Sequence, residues 1–161
     1  MSASPNPDSA VAALSAAPAM LHIRLLAMVY DLLPLAALWM ATSAMMLLLR
    51  GGVRVTPGSA AAMVEFVLLL AVTFAYLGLS WRRGGQTLGM RAWRLRLVNV
   101  DGSSPVPWRA LVLRYLVAMV SLAAVGLGLA WSLLEPSRRT WHDLASGTVL
   151  VRMPKPVAKG R

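Results

Sequence analysis

Apolar and polar positions in this chain fall into long blocks, not short amphipathic periods. The longest block is Leu21 to Arg50, LHIRLLAMVYDLLPLAALWMATSAMMLLLR, in which Asp31 is the only charge between Leu25 and Leu49. At about 1.5 Å of rise per residue it is long enough to cross a bilayer core of roughly 30 Å. A second block runs from about Ala60 to Trp81, and a third, RALVLRYLVAMVSLAAVGLGLAWSLLE, from Arg109 to Glu135. The connection RGGVRVTPGS breaks the first helix with its glycines and Pro57, and Ser59 is placed to cap the next. In the polar stretch 82–108, Leu95, Leu97 and Asn99 alternate with Arg94, Arg96, Val98 and Val100, then Asp101-Gly102 signals a turn. Thr148 to Arg152 reads as a second short strand.

These blocks predict an all-α integral membrane protein with two transmembrane helices, at about 21–49 and 60–81. A third membrane-embedded helical segment at 109–135 is either a span or a re-entrant hairpin. Strands 94–100 and 148–152 are expected to pair as a short cytoplasmic β-hairpin. Residues 1–20 are small and polar with no basic residue, unlike the positive start of a signal peptide, and read as a disordered tail. Residues 21–152 form the membrane domain, and 153–161 a basic C-terminal tail.

A composition of 58 % hydrophobic and 14 % charged residues is too apolar for an ordinary soluble domain. The formal charge of +10 would point to nucleic acid on a soluble chain. Here the basic residues flank the apolar blocks, so topology and anionic lipid headgroups account for them, and no nucleic-acid partner is expected. Arginine outnumbers lysine fourteen to two and alanine is abundant, a bias expected of a GC-rich bacterial coding sequence. There is no cysteine, which excludes disulfides, thiolate metal sites and Cys nucleophiles. Two spans alone make a poor closed pathway, so there is room for a homo-oligomer.

Six arginines lie in 82–109 and six basic residues follow residue 135, against Arg50 and Arg54 in the first turn. The positive-inside rule therefore places the 82–108 loop and the N-terminus in the cytoplasm and the 50–59 turn outside. Three full crossings would put the C-terminal charges outside. A segment 109–135 that turns back near Gly126 and Gly128 keeps them inside, and this same-side reading is favoured.

The candidate chemistry is sparse. A carboxylate at a helix centre costs about 2.5–3.5 kcal/mol, so Asp31 needs a stabilising partner. Arg24 lies seven residues earlier on the same face, roughly 10 Å away along the axis, and is the expected charge partner. Pro34 adds polarity by leaving the Tyr30 carbonyl without its helical donor. The pair reads either as a membrane-embedded site for a cation, proton or charged ligand, or as a structural ion pair. Glu65 suits the outer start of its helix through the dipole, with an entry point as the functional alternative. Tyr76, counted back from Trp81, falls near the depth of Asp31 and could donate its hydroxyl. Between the two carboxylates only Thr42, Ser43 and Thr73 could continue a relay. His142-Asp143 could relay protons, but adjacent helix residues point apart, and a helix cap with Trp141 as interfacial anchor is the plainer reading.

Gly84 to Arg91, GGQTLGMR, lacks the Lys-Ser/Thr of a phosphate loop. No HExxH, GxSxG, paired His or carboxylate pair is present, so no enzyme, metal or cofactor is expected.

With these residues in view, the chain resembles the RDD family of small bacterial membrane proteins. The matching features are Arg24 and Asp31 in RLLAMVYDLL, then GGQTLGMRAWRLRLVNVDGS, then Arg114, then WHDLASGTVLV, covering about residues 21–152. The name-giving Arg and first Asp map onto Arg24 and Asp31, and the second Asp onto Asp143. Met90 departs from the pattern, which often has Lys there; Arg91 next door can replace the charge. The resemblance implies a multi-pass protein of the bacterial plasma (inner) membrane whose molecular function is largely undefined, with transport, including cation/proton exchange, proposed for some members. Under a transport reading, Asp31 binds the ion, Arg24 is its partner and gate, and Asp143 gives cytoplasmic access. The alternative is a non-transporting scaffold or accessory protein binding lipid or a partner membrane protein through its basic face.

Overall fold

The computed structural model describes residues 19–154. Most of the expected tail 1–20 and of the tail 153–161 lies outside the described residues. The chain is mostly helical, and two apolar helices are long enough to span a membrane: α1 (Leu21–Leu49) and α2 (Ala60–Gly84). Ser59 caps α2 by accepting from the Ala62 amide at 3.2 Å. Gly85, in the left-handed conformation with φ of 68°, ends it.

After α2 the chain folds back as α3 (Leu88–Ala92), a single turn capped by the Thr87 hydroxyl, and continues into β1 (Leu95–Asn99). The third apolar segment is α4 (Trp108–Ala123), then α5 (Leu127–Ala130) and a 3₁₀ turn over Trp131–Leu133. It bends by 106° at the break, so it is not one straight crossing. Two consecutive left-handed residues make the break, Val125 at φ 55° and Gly126 at φ 78°. α6 (Trp141–Ser146) then packs back along α4, and β2 (Thr148–Arg152) follows.

The strands pair antiparallel with Leu97 opposite Leu150, which returns the chain to the end where the segment began. The pairing is not a hairpin, because α4, α5 and α6 all lie between the strands. Both sheet edges are covered: Leu97 N donates to Gly85 O at 2.7 Å, and Ala19 N to Leu150 O at 3.0 Å. Ala19, within the expected tail 1–20, is a buried part of this cap.

The densest core sits in the cap and not between the spans. Ile23, Ala27, Met90, Leu95, Leu97, Val106, Leu111 and Leu150 form it. Along α1 most large apolar side chains are exposed, and along α2 they are exposed or half-buried, as lipid-facing surface requires.

Candidate functional site

The inward stripe of α1 is Ile23, Arg24, Ala27, Asp31 and Leu35, so Arg24 and Asp31 share a face. They do not pair. Each belongs to a separate polar centre, both at the cap end.

In the first centre, Arg24 Nη1 donates to Asp143 Oδ2 at 2.5 Å, and Arg114 Nη1 donates to Asp143 Oδ1 at 2.5 Å. Asp143 is fully buried, Arg24 is 3 % exposed and Arg114 4 %. Three elements distant in sequence, α1, α4 and α6, are thus clamped through one carboxylate. Arg24 also donates to the carbonyls of Ala19 and Arg138, and Arg114 to the Thr148 hydroxyl, so the network reaches the start of β2. Arg114 further lies 5.4 Å over the Trp81 ring. Asp143 completes a capping box with Thr140 at the start of α6. Burial by itself raises a carboxyl pKa, but Arg114 and Arg24 outweigh it and hold Asp143 well below the usual carboxylate range. His142 beside it is pushed down to about 3, first by burial and then by Arg114, against the opposing pull of Asp143. Its Nδ1 is buried with no hydrogen-bond partner.

In the second centre, Asp31 is 7 % exposed and accepts three hydrogen bonds. Oδ1 takes the Tyr76 hydroxyl at 2.8 Å and the Gly89 amide at 2.9 Å, and Oδ2 takes the Thr87 hydroxyl. The carboxylate therefore ties the N-terminus of α3 to α1 and α2. Gly89 makes this approach possible, because a Cβ there would overlap the Ala27 carbonyl. That contact is what the last glycine of GGQTLGMR serves. Met90, at the departure from the family pattern, is buried, and its sulfur accepts from the Trp81 indole at 3.4 Å.

Two expectations are corrected by this arrangement. Arg24 is not the charge partner of Asp31; at the start of α1 its guanidinium reaches across to α6, while Asp31 faces α3. Asp143, expected to give cytoplasmic access, is instead fully buried between two arginines.

Glu65 lies at the opposite end and pairs with Arg50 at 2.8 Å, joining the end of α1 to the start of α2. Between the ends, Trp39 Nε1 donates to the Thr73 hydroxyl at 2.8 Å, and Thr73 and Thr42 each donate to the carbonyl four residues earlier. The candidate relay hydroxyls of Thr42 and Thr73 are thus occupied by local bonds. Among the described residues no three His, Asp or Glu side chains are grouped to hold a metal ion.

Sequence reasoning missed Thr87, Gly89 and Thr140. Thr140 was legible, since Thr-x-x-Asp is a capping-box spacing. Thr87 and Gly89 stand in the stretch GGQTLGMRAWRLRLVNVDGS that carries the family resemblance, but nothing in it pointed to Asp31 as their partner.

The RDD family model matches residues 18–147, which spans both polar centres and all but the last strand. The chain belongs to the RDD family. No curated protein and no solved structure matches it significantly. RDD membership and the two apolar helices together make this a membrane protein.

Proposed function

We propose that this RDD-family protein is a non-transporting, non-enzymatic membrane scaffold or accessory protein of the bacterial inner membrane, whose arginine-rich cap faces the cytoplasm and serves as its docking surface. The observation that carries this reading is that most acceptor sites of the carboxylates in the two buried centres are taken up from within. Asp31 has three internal donors and Asp143 two guanidiniums and the Thr140 amide. An ion site needs oxygen lone pairs free to replace hydration, and a path needs polar groups in sequence across the core. The bonds at Asp31 and Asp143 instead fix the cap rigidly on two lipid-facing helices. The charge distribution supports the orientation, with nine unburied arginines between 82 and 152 at the cap end against Arg50 and Arg54 at the other.

The test is ion and proton flux in proteoliposomes, comparing wild type with Asp31→Asn at equal, verified insertion. The scaffold reading expects no flux of sodium, potassium or protons from either. Flux in the wild type that Asp31→Asn abolishes would overturn it and make Asp31 a transport residue.

A further inference from the structure

We propose that the rim formed by Arg82, Arg83, Arg91, Arg109 and Trp108 binds the headgroups of anionic phospholipid. This rests on the scaffold reading and names the partner of its basic face.

Three elements end at this rim. Arg82 and Arg83 occupy the last turn of the spanning helix α2, and Arg109 the first turn of α4. From α3, an Arg91 guanidinium nitrogen reaches back to Gly84, 3.5 Å from where a Cβ would stand. Arg82 is oriented by donating to the Val106 carbonyl at 2.9 Å, and its guanidinium lies 5.4 Å over the Trp108 ring. Trp108 itself packs on Gly78 and Phe74 of α2, so its half-exposed indole sits beside the last two turns of a span, the level tryptophan favours at a membrane interface.

The charge at the rim is uncompensated. Among the described residues none of the four arginines has a carboxylate partner. The described carboxylates at this end are committed elsewhere: Asp31 to Tyr76, Thr87 and Gly89, Asp101 to Ser103, Glu135 to Ser137 and Arg139, and Asp143 to the buried arginines. Leu88, exposed on α3 three residues before Arg91, supplies apolar surface beside the charge. A phosphodiester with net negative charge and attached acyl chains meets both features. A zwitterionic lipid carries its own ammonium and meets only one.

The test uses the full chain in detergent with equimolar phosphatidylglycerol and phosphatidylcholine, reading bound lipid by native mass spectrometry. Each arginine near a membrane surface contributes about a fivefold preference for anionic lipid. Wild type should retain phosphatidylglycerol in clear excess. Arg83→Gln with Arg91→Gln and Arg109→Gln should remove most of that excess. Arg54→Gln with Arg138→Gln and Arg152→Gln, an equal charge loss at exposed positions outside the rim, should leave it. Should the rim variant not fold, Arg83→Gln and Arg109→Gln, both at exposed positions, carry the test singly with about fivefold each. Three results would overturn the inference: no preference in the wild type, equal loss from both triple variants, or displacement of the lipid by millimolar inorganic phosphate. Each leaves the scaffold reading standing, since that reading is tested by ion and proton flux, which none of these results measures.

Discussion

Replacing Asp143 with Asn removes the counter-charge of two buried guanidiniums while changing almost no volume. The amide oxygen can still accept from the Thr140 amide, so the cap of α6 partly survives, and the loss is mainly one of charge. Arg24 and Arg114 are too buried to turn toward water without unpacking α1 from α4 and α6. Breaking a buried pair in this way costs about 3–5 kcal/mol, and two pairs sharing one carboxylate place this site at the upper end. Asp31→Asn is milder, because its partners are a phenol, a hydroxyl and an amide, and none is left as a bare charge. About 1–3 kcal/mol is expected there. Asp143→Asn should therefore cost roughly 2 kcal/mol more than Asp31→Asn. Thermal unfolding in detergent, followed by tryptophan fluorescence, should separate the two by about 4–8 °C at this chain length. Adding Arg24→Met to Asp143→Asn should recover part of the loss by removing one stranded charge. An Asp143→Asn protein at least as stable as Asp31→Asn, or no recovery in the double variant, would refute the triad as the principal lock.

Three further outcomes follow from the same geometry. His142 is neutral in the fold down to about pH 3, whereas the unfolded chain takes up its proton near pH 6.5. Stability should thus fall as pH drops below 6.5, by about 2 kcal/mol at pH 5, and His142→Gln should flatten that limb of the melting profile. Gly89→Ala drives a Cβ into the Ala27 carbonyl and should cost about 3 kcal/mol, while Gly84→Ala, where a Cβ meets only the end of Arg91, should cost far less in the same melt. Val125 is 95 % exposed and β-branched at a positive φ, so Val125→Gly should raise stability by about 0.5–1 kcal/mol; a lower melting temperature would refute the strained turn.

The membrane class, the two spans and their ends were legible because they depend on local properties. A run of apolar residues fixes a length, Pro57 and the glycines fix a break, and Ser59 fixes a cap, all within a few residues. The alternation over 94–100 and the strand-like run 148–152 likewise anticipated the paired strands, and the charge count favoured a third segment that returns to its own side. The sequence also determined that Arg24 and Asp31 share one face of α1, since helical periodicity settles that without any partner. Only the tertiary structure decided whom they meet. Arg24 joins Asp143, 119 residues away, and Asp31 joins Thr87 and Gly89, 56 and 58 residues away. Spacing along one helix says nothing about which element packs on it. That depends on the bend at Val125–Gly126, which brings α6 back beside α4, and on a glycine small enough to let α3 touch α1. A charged pair two turns apart reads as partners only until longer-range packing offers each a nearer one.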